Sequence, residues 1–271
     1  MTNAPSTCAT AEPQSYHEDM STHDELVQGR FGTQAGAYLS SVTHAQGPEF
    51  ALLQESLGEL TQPNVLDLGC GAGHVTYHVA PLARDVVACD PSPQMLAVVA
   101  KTAASRGLGN VRTTQGQAEA LPFADASFER VFSRYSAHHW RDLGQGLREA
   151  RRVLCPGGVA IFIDVTAPEN PLLDTHLQTM ELLRDPGHVR DYTPGEWVRQ
   201  CGEAGLAVMG FSMQRLRLAF EDWVARMATP QVLREAIRLL QAQVATEVHR
   251  HFAIEADGSF TVDVILLHTR R

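Results

Sequence analysis

The hydrophobic and polar positions between residues 64 and 164 alternate in a pattern that predicts strands joined by helices. Short apolar runs bounded by turn residues predict five strands, at 64–68, 85–90, 110–115, 128–133 and 158–164. Between these runs, helical periodicity predicts helices at 72–80, 92–106 and 142–154. Strands that alternate with helices in this way are typical of a parallel sheet with crossover helices.

Beyond residue 165 the pattern extends the sheet and interrupts it with further helices. Two more strands are predicted at 206–218 and at 260–269, and the last one follows a turn at 255–259. Helices are predicted at 171–185, 193–205, 220–228 and 231–252. We therefore predict an α/β fold with a doubly wound, seven-stranded, mostly parallel sheet, an antiparallel last strand and helical lid insertions.

The chain is predicted to form a single domain over residues 21–271. Residues 1–20 are polar and small, so we expect a disordered N-terminal extension. Three segments are expected to act as a cap over the ligand edge of the sheet, at about 21–60, 168–192 and 219–252.

Composition narrows the possible partners. The formal charge of −9 and the presence of Lys101 as the sole lysine disfavour nucleic acid as a partner. No apolar run approaches the ~20 residues of a membrane-spanning helix. The five cysteines are scattered without metal-ligand or disulfide spacing, so we expect no metal site. These features favour a cytoplasmic protein that is a monomer or a homodimer.

A glycine-rich turn follows the first strand of the sheet, in the sequence VLDLGCGAGH (65–74). Such a turn lets the backbone approach a ligand closely at the carboxyl end of the strands. The dinucleotide fingerprint is G-x-G-x-x-G, whereas the third glycine here comes one residue early, at Gly73. The spacing therefore disfavours a nicotinamide dinucleotide.

Two acidic residues indicate a different ligand. Asp67 precedes the glycines, where a carboxylate repels a diphosphate and attracts an ammonium group. Asp90 ends the second strand, where an acid accepts hydrogen bonds from both hydroxyls of a ribose. A ligand that combines a ribose with a cationic amino acid and lacks phosphate is S-adenosylmethionine.

Six motifs in sequence order carry a resemblance to a known family: RFGTQAGAY, VLDLGCGAGH, CDPSPQML, GQAEALPF, FERVFSRYSAHHW and LREARRVLCPGG. Over residues 30–165 the chain resembles the class I S-adenosylmethionine-dependent methyltransferases, especially the ubiquinone/menaquinone-biosynthesis C-methyltransferases and related small-molecule enzymes. It is also similar to the N-methyltransferases of azapteridine antibiotics such as toxoflavin, without a motif specific to them. The resemblance implies a Rossmann-like methyltransferase fold.

The resemblance also implies a set of cofactor contacts. Asp67, Gly69 and Gly71 would lie at the methionine portion, with Ser133 at its border, and Asp90 would hold the ribose. Gln117 stands where relatives carry an aspartate that binds the adenine amino group. Met95 would pack its apolar side chain on adenine, and Ala118 would offer its backbone N–H beside Gln117. Two aromatic residues would fold over the cofactor, Phe31 and Tyr38.

The loop after the fourth strand supplies the candidates for chemistry. His138 and His139 are the best candidates for a base, and we expect one of the two to point away from the pocket. Methyl transfer depends mainly on alignment, so a base matters only for some acceptors. Stacking and charge contacts with a planar substrate are expected from Tyr135, Trp140, Trp197 and Arg134.

These features favour a methyltransferase that acts on a small, planar heteroaromatic metabolite at N or O. One alternative is C-methylation of a quinone or lipid-like substrate. A second alternative, of a different class, is a non-catalytic S-adenosylmethionine-binding regulator. A nicotinamide enzyme is a third.

Overall fold

The structure is a computed structural model that describes residues 22, 23, 25–27, 29, 47–58 and 60–271. The predicted extension at 1–20 and the predicted cofactor contacts Phe31 and Tyr38 lie outside these residues.

The described residues form alternating strands and helices in the predicted order. The strands are β1 Asn64–Leu68, β2 Asp85–Asp90, β3 Val111–Gln115, β4 Phe128–Arg134, β5 Leu154–Thr166, β6 Ala207–Leu218 and β7 Phe260–Arg270. The helices are α1 Glu49–Gly58, α2 His74–Val79, α3 Pro93–Ser105, α4 Leu143–Val153, α5 Pro171–Arg184, α6 Pro194–Glu203, α7 Phe220–Arg226, α8 Gln231–Ala242 and α9 Thr246–His251.

The strands pair into one seven-stranded sheet with the order β3-β2-β1-β4-β5-β7-β6. β1 to β5 pair in parallel, and β7 is antiparallel to both β5 and β6. This confirms the predicted doubly wound sheet with an antiparallel last strand. The strand order reverses between β1 and β4, and ligands of such sheets bind at this switch point.

Helices cover both faces of the sheet because alternate strand residues are apolar on each side. On one face, α4 and α6 pack through Leu147 and Trp197 against Phe162 and its neighbours. On the other, α1 and α2 pack against β1 and β5, while α3 packs beside β2. Most of the core side chains on the central strands are fully buried, so the carboxyl ends of these strands are held in fixed positions.

Several predicted boundaries differ from the structure, and three of these differences change the description of an element. Helix α2 begins at His74 and not at residue 72, because Gly73 has a left-handed φ of 87°. β5 begins at Leu154, directly after α4, and the segment 155–158 forms an irregularity within the strand pairing, not a break before it. The predicted helix at 231–252 is divided into α8 and α9 by residues 243–245.

The helices α5, α7, α8 and α9 form a separate apolar cluster at the ends of β5, β6 and β7, with Trp223 and Phe260 in edge-to-face contact at 4.9 Å. This cluster lies at the carboxyl edge of the sheet, where the lid insertions were predicted. In the described ranges, no helix is long and apolar enough to cross a membrane.

Candidate active site

A cleft opens at the carboxyl ends of β1, β2 and β4, at the switch point of the sheet. It encloses about 1110 Å³, part of which is open to solvent. Its lining comes from the loops that follow these strands, from residues 117–119 after β3, and from His23 and Val27. Within the described part of the chain, residues 168–252 contribute nothing to this lining, so their role as a lid stays a prediction.

The glycine loop after β1 presents bare backbone to the cleft. The Gly69 N–H donates to the Cys89 carbonyl oxygen at 2.9 Å, which ties the loop to the end of β2. Gly69 has a φ of 70°, and a Cβ at this residue would lie 1.9 Å from Ser136 Oγ. Gly71 has a φ of 49°, but a Cβ there would meet no atom within 4 Å. Gly69 thus permits close packing of two loops, and Gly71 leaves space for a ligand.

Asp67 is buried at the floor of the loop, with 1% of its surface exposed. Its Oδ2 accepts hydrogen bonds from the Thr76 backbone N–H at 2.9 Å and from the Thr76 hydroxyl at 2.6 Å. Burial raises the pKa of Asp67 from 3.8 to about 7, although both hydrogen bonds oppose the rise. The carboxyl is therefore ready to ionise when a cation approaches.

Asp90 ends β2 and lines the same cleft. Its Oδ2 accepts from the Gly71 N–H and its Oδ1 from the Ser92 N–H, both at 2.9 Å. Burial raises its pKa to about 6, and these two hydrogen bonds act against the rise. Since each carboxylate oxygen accepts more than one hydrogen bond, capacity remains for two ligand hydroxyls.

The predicted adenine contacts lie together beyond Asp90. Met95 is buried in the first turn of α3, and its N–H donates to the capping Ser92 hydroxyl at 3.3 Å. Gln117 and Ala118 lie in the loop after β3 and line the cleft with Met95. An apolar sulfur side chain, an amide and a backbone segment therefore all line the cleft.

The loop after β4 forms an aromatic wall of the cleft. Tyr135 has a left-handed φ of 53°, and its N–H donates to the Ile163 carbonyl oxygen at 2.8 Å. Trp140 is buried, and its indole N–H donates to Ser136 Oγ at 3.1 Å. Burial raises the pKa of Tyr135 to about 12, so its hydroxyl stays neutral.

Three residues predicted to contact ligands have different surroundings. Arg134 lines the cleft, but its guanidinium donates to the buried Glu49 carboxylate at 2.7 Å, so its charge is already paired. Ser133 is buried within β4 and is not among the described lining residues. Trp197 is also absent from this lining: it packs in the core with its ring centroid 5.7 Å from that of Phe162. The expected stacking by Trp197 is therefore corrected to a core role.

The two adjacent histidines face different surroundings. His139 lines the cleft, while His138 does not belong to the described lining. His138 Nδ1 donates to Asp164 Oδ1 at 2.6 Å. Although burial opposes it, the Asp164 carboxylate raises the pKa of His138 to about 9. Burial, and then the charge on His138, lower the pKa of His139 to about 4, so His139 is neutral at pH 7.

Sequence reasoning missed several lining residues. Glu119 faces the cleft and its carboxylate accepts from the Arg141 N–H at 2.8 Å. Ser136, in the loop after β4, contacts the glycine loop, and His23 reaches the Gly187 carbonyl oxygen at 3.1 Å. Glu119 stands within the motif around Gln117, so its position along the chain was a usable signal. The contact of His23 with a residue 164 positions away has no sequence signal.

The cleft suits S-adenosylmethionine better than a dinucleotide. Two buried carboxyls flank the glycine loop, where a diphosphate would be repelled and a cationic amino acid attracted. Gly71 offers open space beside Asp90, whose oxygens suit ribose hydroxyls. In the part of the chain that the structure describes, no three His, Cys, Asp or Glu side chains are grouped to hold a metal ion.

Comparisons with known proteins agree with this chemistry. A methyltransferase domain profile matches residues 66–162. The uncharacterised protein YafE of Escherichia coli (strain K12) is 48% identical over 203 residues, which are 75% of this chain and 98% of YafE. A demethylmenaquinone methyltransferase of Chlorobaculum parvum is 36% identical over 113 residues, 41% of this chain and 45% of that protein.

YcgJ of Bacillus subtilis, an uncharacterised methyltransferase, is similar in sequence and in structure. Its sequence is 34% identical over 200 residues, 74% of this chain and 79% of YcgJ. Its crystal structure superposes with a TM-score of 0.78 over 82% of this chain and 97% of that chain. The cleft and these similarities lead to one conclusion: the chain belongs to the S-adenosylmethionine-dependent methyltransferases.

Proposed function

We propose that this methyltransferase acts on a nitrogen or oxygen atom of a small, planar heteroaromatic metabolite. The observation that carries the proposal is the aromatic wall after β4, where Tyr135, His139 and Trp140 line the cleft together. Flat, rigid side chains of this kind favour flat ligands. We also propose that the enzyme works in the cytoplasm as a monomer or homodimer without nucleic acid, in keeping with its charge of −9.

The cofactor would be held along the glycine loop and the two strand ends beside it. When bound, S-adenosylmethionine supplies a methyl group on a sulfonium. We propose that Asp67 attracts its ammonium group, that backbone groups of Gly69 and Gly71 line its methionine portion, and that Asp90 accepts from its ribose hydroxyls. The proposed adenine contacts are Met95, Gln117 and Ala118.

The protein contributes to methyl transfer mainly by alignment and by exclusion of water. Asp90 is fixed by two backbone N–H groups, and the Trp140 ring is fixed by Ser136. Side chains held in this way keep a ligand near its reactive geometry without reorganisation during the step. Burial around the cleft reduces the hydration of the attacking atom.

Carbon methylation of a quinone or lipid-like substrate is the second candidate. It is supported by the similarity to demethylmenaquinone methyltransferase, although that match covers 45% of the relative. A quinol is also planar, so the aromatic wall suits both candidates.

The two candidates can be separated with [methyl-³H]S-adenosylmethionine and a defined panel of acceptors. The panel contains hydroxyquinolines, benzimidazoles and aminopyrimidines on one side, and 1,4-naphthoquinols with and without a prenyl tail on the other. We expect label on nitrogen or oxygen of a heteroaromatic acceptor, located by mass spectrometry. Label on the carbon of a naphthoquinol alone supports the second candidate. Bound cofactor without turnover of any acceptor would favour a non-catalytic regulator.

A further inference from the structure

The loop between α5 and α6, residues 185–191, packs against His138 and His139 and contains buried acceptors with no donor. Among the described residues, Asp185 Oδ2, His188 Nδ1 and Asp191 Oδ2 are buried and have no hydrogen-bond partner. The three residues are only 2%, 7% and 1% exposed. Buried acceptors without a hydrogen bond are uncommon in folded proteins, so three in one loop mark a place where a proton or a donor group can be taken up.

The hydrogen bonds around His139 determine which of its nitrogens is basic. Its Nδ1 lies 2.9 Å from the Gly187 carbonyl oxygen, which can only accept. Nδ1 is therefore the donor, and in neutral His139 the lone pair is on Nε2. Nε2 lies 3.9 Å from Asp185 Oδ2. In this tautomer the Nε2 lone pair faces a carboxylate oxygen, and a proton taken up by Nε2 would be stabilised by that carboxylate.

The Asp185 carboxylate is held in place beside His139. Its other oxygen, Oδ1, accepts from the Gly187 N–H at 2.8 Å, and the Gly187 carbonyl oxygen accepts from His139. A single residue therefore positions both members of the pair. His188 does not take part in this hydrogen-bonded arrangement, because its Nε2 donates to Gln178 Oε1 at 2.9 Å.

We propose that His139 is the base for methyl transfer and that Asp185 is its positioning residue, so the methyl acceptor is a protic nucleophile with an N–H or O–H group. This inference rests on the proposed function. As the bond from the acceptor atom to the methyl carbon forms and the sulfur–methyl bond breaks, the electron pair of the N–H or O–H bond stays on the acceptor atom. The proton moves to His139 Nε2, where the Asp185 carboxylate stabilises the imidazolium.

Charged groups on several elements face His139 and set its protonation. The His138 ring centroid lies 4.2 Å from that of His139, and the cation on His138 keeps the neighbouring ring neutral. Asp185 and Asp164 favour the protonated form. His188 from the same loop also lies close to His139, and so does His23, which shares the Gly187 carbonyl oxygen. His139 is consequently available as a base across the neutral pH range.

The first test uses ¹⁵N-histidine-labelled full-length protein with S-adenosylhomocysteine bound. We expect ¹⁵N shifts at pH 7 to place the His139 proton on Nδ1. Removal of the His138 charge in His138→Gln should raise the pKa of His139 into the range that can be titrated. Adding Asp185→Asn to that variant should lower it by about one pH unit or more. A proton on Nε2, or no shift with Asp185→Asn, overturns the proposal.

The second test is kinetic and uses the acceptor found by the panel above. His139→Gln should lower kcat by about 100-fold or more with an unchanged dissociation constant for S-adenosylhomocysteine. Asp185→Asn should lower kcat and move the acid limb of the pH profile to lower pH. The matched control is Asp85→Asn, which removes a carboxylate that pairs with the exposed Arg112 at the other end of β2. It should leave both quantities unchanged.

Two further measurements distinguish a failure of the base assignment from a failure of the proposed function. Equal methylation of an acceptor and of its N-methyl or O-methyl counterpart, which has no proton to lose, overturns the base assignment while the enzyme remains a methyltransferase. Loss of S-adenosylhomocysteine binding in the wild-type protein, measured by equilibrium dialysis, would instead contradict the proposed cofactor site.

Discussion

The raised pKa of Asp67 predicts that cofactor binding depends on pH. Burial raises this pKa to about 7 in the free protein, so near pH 6 most molecules carry a neutral Asp67. If the ionised carboxylate binds the cofactor's ammonium group, protein molecules with a protonated Asp67 do not bind the cofactor. The apparent affinity is then reduced by about 11-fold at pH 6 and by about 1.1-fold at pH 8. Between these values the dissociation constant should change by about tenfold.

Asp90 adds a smaller effect of the same sign. With a pKa of about 6 it is half protonated at pH 6, which contributes a further factor of about two. The assay is equilibrium dialysis of S-adenosylhomocysteine at pH 6, 7 and 8 at constant ionic strength. Asp67→Asn should bind more weakly at pH 8 and should retain only the twofold slope of Asp90.

The matched control for this experiment is Asp85→Asn, because Asp85 lies at the opposite end of β2 and pairs with the exposed Arg112. This variant should keep the full pH dependence. The reasoning is refuted by a wild-type dissociation constant that is equal at pH 6 and pH 8, or by a tenfold slope that survives in Asp67→Asn.

Three further substitutions test the cleft and its support. Gly69→Ala places a Cβ 1.9 Å from Ser136 Oγ at a φ of 70°, so S-adenosylhomocysteine binding should weaken about tenfold or more; normal affinity in dialysis would contradict this geometry. Asp90→Ala should weaken binding by ~2–3 kcal/mol by calorimetry, and an unchanged value argues against the ribose contact. Trp197→Ala should lower the free energy of unfolding in urea by ~3–5 kcal/mol and should leave the cofactor affinity within about twofold of the wild type. A large loss of affinity would instead show that Trp197 contacts the ligand.

The central sheet could be predicted from the sequence because its signals are local. β1 and β2 have the predicted bounds, since each is an apolar run closed by turn residues. The errors arose where tertiary contacts override local preference. β5 pairs Leu154 with Phe128 across an irregularity, so the chain enters the strand before the glycines that were expected to precede it.

The site could be predicted only in part. The glycine loop and Asp90 are encoded by short motifs, and the structure brings them to one cleft with Met95 and Gln117. The roles of two adjacent histidines depend on partners far along the chain, Asp164 and Gly187, and no spacing rule reveals these. Trp197 was expected at the pocket because aromatic residues often line ligand sites, but a helix residue that faces the sheet is as well explained by core packing.

Burial of Asp67 also predicts a conflict between stability and binding. In the fold its pKa is raised, so between pH 4 and pH 7 the native state binds more protons than the unfolded state. The contribution of Asp67 to stability therefore falls as pH rises through this window and levels off above pH 7. A rise from 3.8 to about 7 corresponds to at most about 4 kcal/mol. Asn at this position is neutral at every pH, and its carbonyl oxygen can still accept from Thr76.

We therefore expect Asp67→Asn to be more stable than the wild type at pH 8 and to lose this advantage at pH 4. Calorimetric unfolding of both proteins across this range measures the difference directly, and the pH dependence of other groups cancels in the comparison. A variant less stable than the wild type at pH 8 would show that the bonds from Thr76 outweigh the burial of the charge. The expected result would mean that the Asp67 carboxylate destabilises the fold and is present because it binds a ligand. A cation bound at the glycine loop would offset the cost of burying this charge.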